Sequence, residues 1–240
     1  MCGRVRLADE WSQIKIKLAF DAAAPAPNLK PSWNIPPTGE LLVAIGGENG
    51  ARLPQKMRFG LIPRWAKDAK IAYSTFNARA DSVATKPAFS GAWKSGRRCL
   101  VVTDGYYEWR KADRQAFAIG RADGDPMVMA GVWDEWRAPN AERIRSCAII
   151  TTEPNAAIAT IHDRMPVILD QADWPKWLGE AEAAESELMG LLRPCPAERI
   201  KFWPVSAKVG NVKNDSPELA EPVAAAPVGD LFAGLGADTA

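Results

Sequence analysis

The stretch RRCLVVTDGYYEWR, residues 97–110, carries the clearest information about the fold, because two strand-like runs follow one another directly. RRCLVVTD (97–104) is rich in apolar and β-branched residues, and YYEWR (106–110) is aromatic. Both compositions are typical of strands, and the Asp104-Gly105 pair is typical of a turn. The stretch therefore predicts two consecutive strands with no helix between them.

Further runs of the same kind are distributed along the chain. They are ELLVAI (40–45), QKMRFGLI (55–62), AFAIG (116–120), MVMAGVW (127–133), IRSCAIITT (144–152), MPVILD (165–170) and RIKFWPV (199–205). Helix-like segments are fewer and cover residues 9–20, 80–93, 154–161, 171–179 and 180–192. This pattern predicts an α+β fold, in which a β-rich barrel or strongly curved sheet carries peripheral helices. The lack of strictly alternating βαβ units argues against a Rossmann-type sheet.

Length and composition predict one globular domain. The chain has 240 residues, of which 47% are hydrophobic and 25% charged, so it can bury a substantial core. No linker interrupts residues 32–220, and we predict a single domain over residues 1–220 followed by a disordered, Ala/Gly/Pro-rich tail over residues 221–240. The sequence has no apolar run of about 18 residues and no signal-peptide core. These features predict a cytoplasmic protein that does not engage a membrane, and we separately expect a monomer.

Charge is unevenly distributed along the chain, although the net charge is only +1. Residues 52–114 hold 14 Lys or Arg against 5 Asp or Glu, whereas residues 115–200 hold 8 against 14. This asymmetry favours a basic face that meets an anion, although charges separated in sequence can also be mixed in space. Trp65 and Trp109 lie in the basic region, and such a mixture suits single-stranded nucleic acid. The alternative is that both tryptophans belong to the core.

The cysteines and the histidine argue against a metal site. Cys2, Cys99, Cys147 and Cys195 are scattered without a CxxC pair, as in proteins of a reducing compartment. Cys99 and Cys147 lie in strand-like runs and are expected to be buried small hydrophobic residues, and Cys195 lies in a loop between prolines. Since His162 is the single histidine, the sequence predicts no metal and no other cofactor.

The N-terminal sequence MCGR contains a candidate reactive group. Removal of Met1, which is usual before a small second residue, would give Cys2 a free α-amine with a pKa of about 8 beside a thiol with a pKa of about 8.5. Such an aminothiol forms a Schiff base with an aldehyde, and the tethered sulfur then closes a thiazolidine ring. Gly3 permits a close backbone approach, and Arg4 is expected to favour the thiolate and to attract phosphate. The simpler alternative is that Cys2 is only a small residue at a terminus.

Four further polar residues are candidates for proton transfer or substrate contact. His162, in ATIHDRMPVIL, lies between a helix-like segment and a strand, where Arg164 could supply charge. Glu108 lies among aromatic residues, and desolvation there would raise its pKa toward that of a useful general acid. Asn77 and Arg79, in STFNARAD, are predicted to begin a helix. The alternatives are a structural His162, an outward-facing Glu108, a capping Asn77 and a surface cation at Arg79.

Seven sequence blocks occur in an order that is typical of one family. They are MCGR (1–4), WNIPPT (33–38), FGLIPRWAKD (59–68), NAR (77–79), DGYYEW (104–109), IHDRMPVIL (161–169) and PVSAKVGNVKN (204–214). Together they resemble the SOS response-associated peptidase (SRAP) family, the abasic-site crosslinking proteins. The resemblance extends over nearly the whole chain except the tail.

The resemblance implies a β-rich single domain with a cleft for single-stranded DNA that contains abasic sites. For catalysis it implies that Cys2 forms the crosslink, that Asn77 holds the N-terminus and the sugar, that Glu108 assists ring opening and proton transfer, and that His162 assists Schiff-base formation and reversal. For DNA binding it implies that phosphates are bound by Arg4, Arg79 and Arg164. It also implies that the DNA is supported or stacked on by Trp65 and Trp109, and that the groove is lined by Pro37 and Thr38. Some relatives have two tryptophans where this chain has Trp65-Ala66, which would weaken one stacking contact. Such a protein would be associated with the nucleoid when bound to DNA.

The chemistry of the residues favours covalent capture, and two alternatives remain open. An abasic site is mostly a closed hemiacetal, so an acid–base residue such as Glu108 is needed to expose its aldehyde. Ring closure onto sulfur would remove an imine that otherwise risks β-elimination and strand cleavage. The first alternative is a cysteine peptidase that uses Cys2, His162 and Asn77, with self-removal of Met1 as its minimal activity. The second is a non-covalent module that binds single strands.

Overall fold

A computed structural model of the protein describes residues 2–224. Its strands are β1 (Val5–Leu7), β2 (Ser32–Ile35), β3 (Glu40–Gly46), β4 (Arg52–Phe59), β5 (Asn77–Arg79), β6 (Arg98–Thr103), β7 (Gly105–Trp109), β8 (Ala116–Arg121), β9 (Met127–Arg137), β10 (Arg143–Thr152), β11 (Met165–Pro166) and β12 (Ile200–Pro204). Its α-helices are α1 (Trp11–Lys17), α2 (Pro87–Lys94), α3 (Trp174–Leu178) and α4 (Glu185–Gly190). Within residues 2–224, no helix is both long and apolar enough to cross a lipid bilayer.

Five of these strands form a closed barrel in the order β4, β3, β6, β9 and β10, with β10 returning to β4. Their pairings are antiparallel except that β10 and β4 run parallel. Apolar side chains such as Leu42, Val101, Met129 and Ile149 are buried in this part of the molecule. Closure pairs the edge strands with each other, and the remaining elements lie around this barrel.

A second antiparallel sheet lies beside the barrel, in the order β12, β8, β7, β1 and β2. The chain passes from barrel strand β6 into β7 at the Asp104-Gly105 pair. The stretch 97–110 thus forms two consecutive strands as predicted, but they belong to different sheets. Side chains alternate along β7, so Tyr106 enters the main core and Tyr107 enters a smaller separate core. β7 therefore contributes side chains to both hydrophobic cores.

Gly105 is required at the start of β7 by its conformation and by a close backbone approach. Its φ is +154°, and a Cβ there would lie 2.2 Å from the carbonyl oxygen of Ile119 in β8. We expect Gly105→Ala to lower the free energy of unfolding by roughly 2–3 kcal/mol in a urea titration. Gly91→Ala is the control, because Gly91 lies in α2 with open space around it, and it should stabilise the protein by about 0.5–1 kcal/mol. Equal unfolding midpoints for Gly105→Ala and the wild type would contradict this account.

The predicted β-rich α+β fold with a single domain is confirmed, and each predicted strand-like run contains a strand. The run 165–170 is strand only at Met165–Pro166, with one further bridge from Ile168 to Met129. Three short strands, β1, β2 and β5, are not among the predicted ones. They form through pairing with strands that are distant in sequence, β1 with β2 and β7 and β5 with β10.

The prediction that Asn77 and Arg79 begin a helix is wrong, because both residues lie in β5. β4 stops pairing with β10 at Phe59, and β5 then pairs in parallel with the next part of β10, beginning at Ile149. The backbone groups along this edge of β10 would otherwise lack partners, so the edge captures even a three-residue strand. Neither Asn77 nor Arg79 caps a helix.

The predicted helices are present in shortened form. The predicted segment 80–93 becomes helical only at Pro87, where α2 begins, because proline suits the first helical turn. Residues 154–161 contain a single 3₁₀ turn, Ile158–Thr160, instead of a helix. The remaining three segments contain α1, α3 and α4.

The predicted tail is described only at its beginning. The Val223 amide donates to the carbonyl oxygen of Pro204 at 2.9 Å, so residues 221–224 follow the end of β12. Residues 225–240, on which the rest of this prediction falls, lie outside the described residues. The domain boundary at residue 220 stays a prediction.

Candidate active site

Three chain segments meet at the C-terminal end of β10. β5, which carries Asn77 and Arg79, pairs with one edge of this strand end. β11 pairs with the other edge, and the segment that leads into β11 carries His162 and Arg164. Arg164 fixes this segment by donating from Nη2 to the carbonyl oxygen of Thr151 at 2.6 Å. The barrel thereby gathers four of the predicted site residues at one strand end.

The second sheet brings two more residues to the same place. Glu108 lies on β7, and its Oε1 is 3.3 Å from Nε2 of His162. The Tyr107 amide donates to the carbonyl oxygen of Arg4 at 2.9 Å, which extends the pairing of β1 with β7 toward the N-terminus. This pairing brings Cys2 to the Glu108 end of β7, where the charge of Glu108 acts on the thiol. Segments that are distant in sequence thus assemble Cys2, Glu108 and His162.

The hydrogen bonds of His162 define its tautomer. Its Nδ1 accepts the backbone N–H of Arg164 at 3.1 Å, so the proton of the neutral ring belongs on Nε2, which faces Glu108. Burial lowers the pKa of His162 below its ordinary value. The carboxylate of Asp163, 2.9 Å from Nδ1, acts in the opposite direction, but its charge is shared with Lys111 at 2.6 Å. The bond from the Arg164 amide and the lowered pKa together favour a neutral imidazole that carries its proton on Nε2.

Glu108 is a buried carboxyl group. It is only 2% exposed, and this burial raises its pKa above the ordinary value. The predicted desolvation is thus confirmed, and the outward-facing alternative is wrong. A carboxyl that keeps its proton to higher pH than usual can act as a general acid.

Cys2 is buried as a neutral thiol. It is 2% exposed, and burial raises the pKa of its thiol, with a further contribution from the charge of Glu108. The expectation that Arg4 would favour the thiolate is wrong. The Arg4 guanidinium instead donates to the carbonyl oxygen of Val209 at 2.6 Å and to Oδ1 of Asn34 at 2.8 Å. The thiol therefore needs a base before it can act as a nucleophile.

Asn77 offers an acceptor at the site. Its side-chain amide donates to the carbonyl oxygen of Phe76 at 3.1 Å. Its Oδ1 is buried and accepts no hydrogen bond from residues 2–224. This oxygen can accept from a hydroxyl or amine group of a ligand.

Two arginines lie at the rim of the site. The Arg79 side chain is 59% exposed and pairs with Asp81 at 2.6 Å. Arg164 is half-buried, and this burial is the main reason that its pKa is lowered. The nearby positive charge of Arg79 lowers the pKa of Arg164 further. Two guanidinium groups this close favour an anionic ligand between or beside them.

Residues 60–76, which we call the excursion, connect β4 to β5 and have a small core of their own. Ile62 and Ala72 pack there against Trp136 of β9. Trp65 lies on the excursion and is 61% exposed, while its indole N–H donates to the carbonyl oxygen of Pro87 at 3.3 Å. An exposed tryptophan held by a hydrogen bond is suited to stacking on a ligand.

Trp109 lies on the other face of β7 from Glu108, because side chains alternate along a strand. It packs against the smaller core, and its ring centre is 5.7 Å from the guanidinium carbon of Arg4. The structure therefore does not bring Trp109 together with Cys2 and Glu108. Its position is one of support for Arg4.

Pro37 and Thr38 form the turn between β2 and β3. Thr38 has a φ of +73°, which is unusual for a β-branched residue, and its amide donates to the carbonyl oxygen of Phe59 at 2.6 Å. This bond holds the turn at the end of β4, where the excursion begins. Backbone strain of this kind is concentrated at binding sites.

Sequence reasoning missed Tyr106, which is fully buried on the same face of β7 as Glu108. The two-residue spacing between Tyr106 and Glu108 in a strand-like run was the available signal. A surface cavity of about 470 Å³ also opens beside His162 and Asp163 and has room for a small ligand. Within residues 2–224, no three His, Cys, Asp or Glu side chains are grouped so that they could hold a metal ion.

Comparisons with known proteins give a consistent result. A family model described as SOS response associated peptidase (SRAP) matches residues 1–212. The abasic site processing protein YoqW of Bacillus subtilis (strain 168) is 37% identical over 224 residues, which cover 92% of this chain and 99% of that protein. The abasic site processing protein HMCES of Gallus gallus is 34% identical over 226 residues, which cover 81% of this chain and 67% of that protein.

Solved structures show the same fold. A protein from Bacteroides thetaiotaomicron superposes with a TM-score of 0.80 at 23% identity, covering 93% of this chain and 100% of that chain. A protein from Bordetella bronchiseptica superposes with a TM-score of 0.72 at 24% identity, covering 85% of this chain and 100% of that chain. The arrangement of barrel and second sheet is therefore shared with proteins of experimentally determined structure.

Proposed function

Because this chain belongs to the SOS response associated peptidase (SRAP) family, we propose that it processes abasic sites in DNA, as its relatives are named for doing. In this proposal Cys2, after removal of Met1, captures the aldehyde of an abasic site in single-stranded DNA. It does so first as a Schiff base, with lyase-like chemistry, and then as a thiazolidine that shields the lesion during the DNA-damage (SOS) response. The observation that carries the proposal is the convergence of buried Cys2 and Glu108 with half-buried His162.

The first step is opening of the closed sugar. Glu108, whose pKa is raised by burial, donates a proton to the ring oxygen, and the anomeric hydroxyl loses its proton to solvent. The C1 aldehyde is thereby exposed. The Nε2–H of neutral His162 then stabilises the carboxylate that remains, across the 3.3 Å contact with Oε1. Asn77 Oδ1 accepts from a hydroxyl of the opened sugar.

The second step joins the protein to the sugar. The α-amine of Cys2 adds to the aldehyde and loses water, which gives the Schiff base. Since burial raises the pKa of the Cys2 thiol, the sulfur must lose its proton as it attacks the imine carbon. The carboxylate of Glu108 is the proposed acceptor of that proton, because its charge already acts on Cys2. Ring closure is intramolecular and therefore favoured.

DNA binding is proposed at the rim of the same site. Arg79 and Arg164 bind phosphates next to the lesion, and exposed Trp65 stacks on a neighbouring base. Pro37 and Thr38 line the groove where the excursion begins. Arg4 and Trp109 support this surface from the other face of β7, since the Arg4 guanidinium is engaged by backbone carbonyls.

A cysteine peptidase is the second candidate function, because Asn77 and His162 lie at the same strand end to which Cys2 is brought. Burial raises the pKa of the thiol, which argues against a general peptidase and leaves self-removal of Met1 as the activity to test. Cys2→Ser and His162→Ala would be compared with the wild type by intact mass after expression in cells that lack methionine aminopeptidase. Retention of Met1 in both variants but not in the wild type would support self-processing.

The proposed function predicts a covalent adduct that depends on the lesion. A single-stranded oligonucleotide with one abasic site should give a protein–DNA band that survives heating in denaturant, whereas the intact oligonucleotide should give none. The same strand annealed to its complement should react more slowly, because the duplex shields the sugar. Equal, salt-reversible binding of both single strands without an adduct would instead favour a non-covalent binding module.

The raised pKa of Glu108 predicts a loss of rate on the alkaline side. Ring opening needs protonated Glu108, so the single-turnover rate of adduct formation should decline as pH rises through this raised pKa. Glu108→Gln cannot donate the proton, and we expect its rate to be lower by about 10²-fold and to lack this alkaline decline. Glu142→Gln, which alters an exposed carboxylate in the turn between β9 and β10, serves as the control and should keep the wild-type profile. A wild-type rate in Glu108→Gln would exclude the proposed role.

A further inference from the structure

The phenol of Tyr106 is a buried polar group with no role in the proposed ring opening or Schiff-base formation. Tyr106 is 0% exposed, and its hydroxyl makes no hydrogen bond with any residue of the described range 2–224. A buried hydroxyl without a partner is unfavourable, so native proteins rarely keep one without a functional or structural reason. The neighbouring groups identify the reason here.

Strand geometry directs Tyr106 toward the reacting groups. Tyr106 and Glu108 are two residues apart on β7 and share one face. Tyr106 pairs directly with Val5 of β1, three residues after Cys2. Cys2 and Tyr106 are both buried in the main core, and burial raises the pKa of Tyr106, with smaller contributions from Cys2, Glu108 and Cys195.

We infer that the Tyr106 hydroxyl donates a hydrogen bond to the sulfur of Cys2 while the thiazolidine ring closes, an inference that rests on the proposed function. In this step the S–H bond breaks and its proton goes to the Glu108 carboxylate. A C–S bond forms to the carbon of the protonated imine, and the electron pair of the C=N bond moves to nitrogen. Negative charge develops on a sulfur in a desolvated site, and an O–H donor stabilises it there.

The phenol is suited to this task because it stays protonated. A cationic donor near Cys2 would also stabilise the thiolate, but Arg4 is held away by backbone carbonyls. A lysine or histidine in the position of Tyr106 would add charge next to the amine that must remain nucleophilic. A neutral hydroxyl stabilises the sulfur without protonating or repelling the amine.

The chain offers a matched pair of variants for the test. Tyr106→Phe removes only the hydroxyl. Tyr107→Phe removes a neighbouring hydroxyl that is also buried and without a partner in residues 2–224, but that lies on the opposite face of β7. Single-turnover reactions with abasic single-stranded DNA would be stopped at intervals, with and without borohydride. Borohydride traps the imine, and heating without it reports the thiazolidine.

We expect Tyr106→Phe to convert imine into thiazolidine about tenfold more slowly than the wild type, so that trappable imine accumulates. Tyr107→Phe should convert at the wild-type rate. Unchanged conversion in Tyr106→Phe, or an equal slowing in both variants, would overturn the inference. If the wild type forms no adduct at all, the proposed function itself fails, which is a distinguishable result.

The fold of the variant is checked by urea unfolding. Tyr106→Phe should be at least as stable as the wild type, because the hydroxyl it loses has no partner in the described structure. If the variant does not fold, 3-fluorotyrosine at position 106 replaces it, since this residue keeps the hydroxyl and makes it a stronger donor. Ring closure should then be about twofold faster than in the wild type, and an unchanged rate would overturn the inference.

Discussion

Replacing Cys2 with alanine is expected to eliminate the heat-stable adduct with abasic single-stranded DNA and to leave only a weak imine. The α-amine of the new first residue can still condense with the aldehyde. No sulfur is then available to close the ring, so water returns the imine to its components. Because tethering contributes most of the advantage of ring closure, we expect the heat-stable fraction to fall by about 10²-fold or more. Denaturing gels after heating, with and without borohydride, measure both products.

Cys195→Ala is the matched control for this prediction. Cys195 is also a buried thiol, 7% exposed, and burial raises its pKa to about 11. It lacks an adjacent free amine, so its loss should leave the yield of heat-stable adduct unchanged. An undiminished heat-stable yield in Cys2→Ala would show that another group forms the bond.

Blocking the α-amine of Cys2 is expected to remove the trapped imine as well as the heat-stable adduct, because both the imine and the ring depend on this amine. A fusion that places a cleavable segment before Cys2 keeps the thiol but converts the amine to an amide, which does not form a Schiff base. The thiol alone can add to the aldehyde only reversibly. We therefore expect no adduct above background with or without borohydride, a reduction on the order of 10²-fold or more.

Cleavage of the same fusion provides the control, since it releases Cys2 as the first residue of an otherwise identical protein. Adduct formation should return in proportion to the cleaved fraction measured by intact mass. Cys2→Ala and the uncleaved fusion also differ from each other, because Cys2→Ala keeps the borohydride-trapped imine and the fusion loses it. A full yield of adduct from the uncleaved fusion would contradict the whole mechanism.

The fold class could be predicted from sequence because the barrel strands are long and mostly apolar. β3, β6 and β9 each contain an unbroken buried run, and such runs identify strands without knowledge of their partners. β5 could not be predicted in this way. Its three residues show no periodicity, and it exists because β4 leaves an edge of β10 unpaired.

The sequence indicated which residues could form the candidate site, but it did not indicate how their side chains are arranged. Cys2, Glu108 and His162 stand out by position, aromatic surroundings and rarity. The direction of a strand side chain depends on register, so the sequence did not show that Trp109 faces away from Glu108. The partners of Arg4 were also beyond prediction, because the Val209 carbonyl that holds it is 205 residues away.

The excursion carries the exposed Trp65 on a segment that is separate from the barrel strands. Its two ends attach to successive parts of β10, and its own small core around Ile62 and Ala72 keeps it folded. The barrel closes through β4, and the excursion is attached to it where Ile62 and Ala72 pack against Trp136 of β9 and the Ile62 amide donates to Ser146 of β10. Exchanging Trp65 for a different exposed aromatic side chain would therefore alter the proposed stacking contact without changing the residues around Cys2.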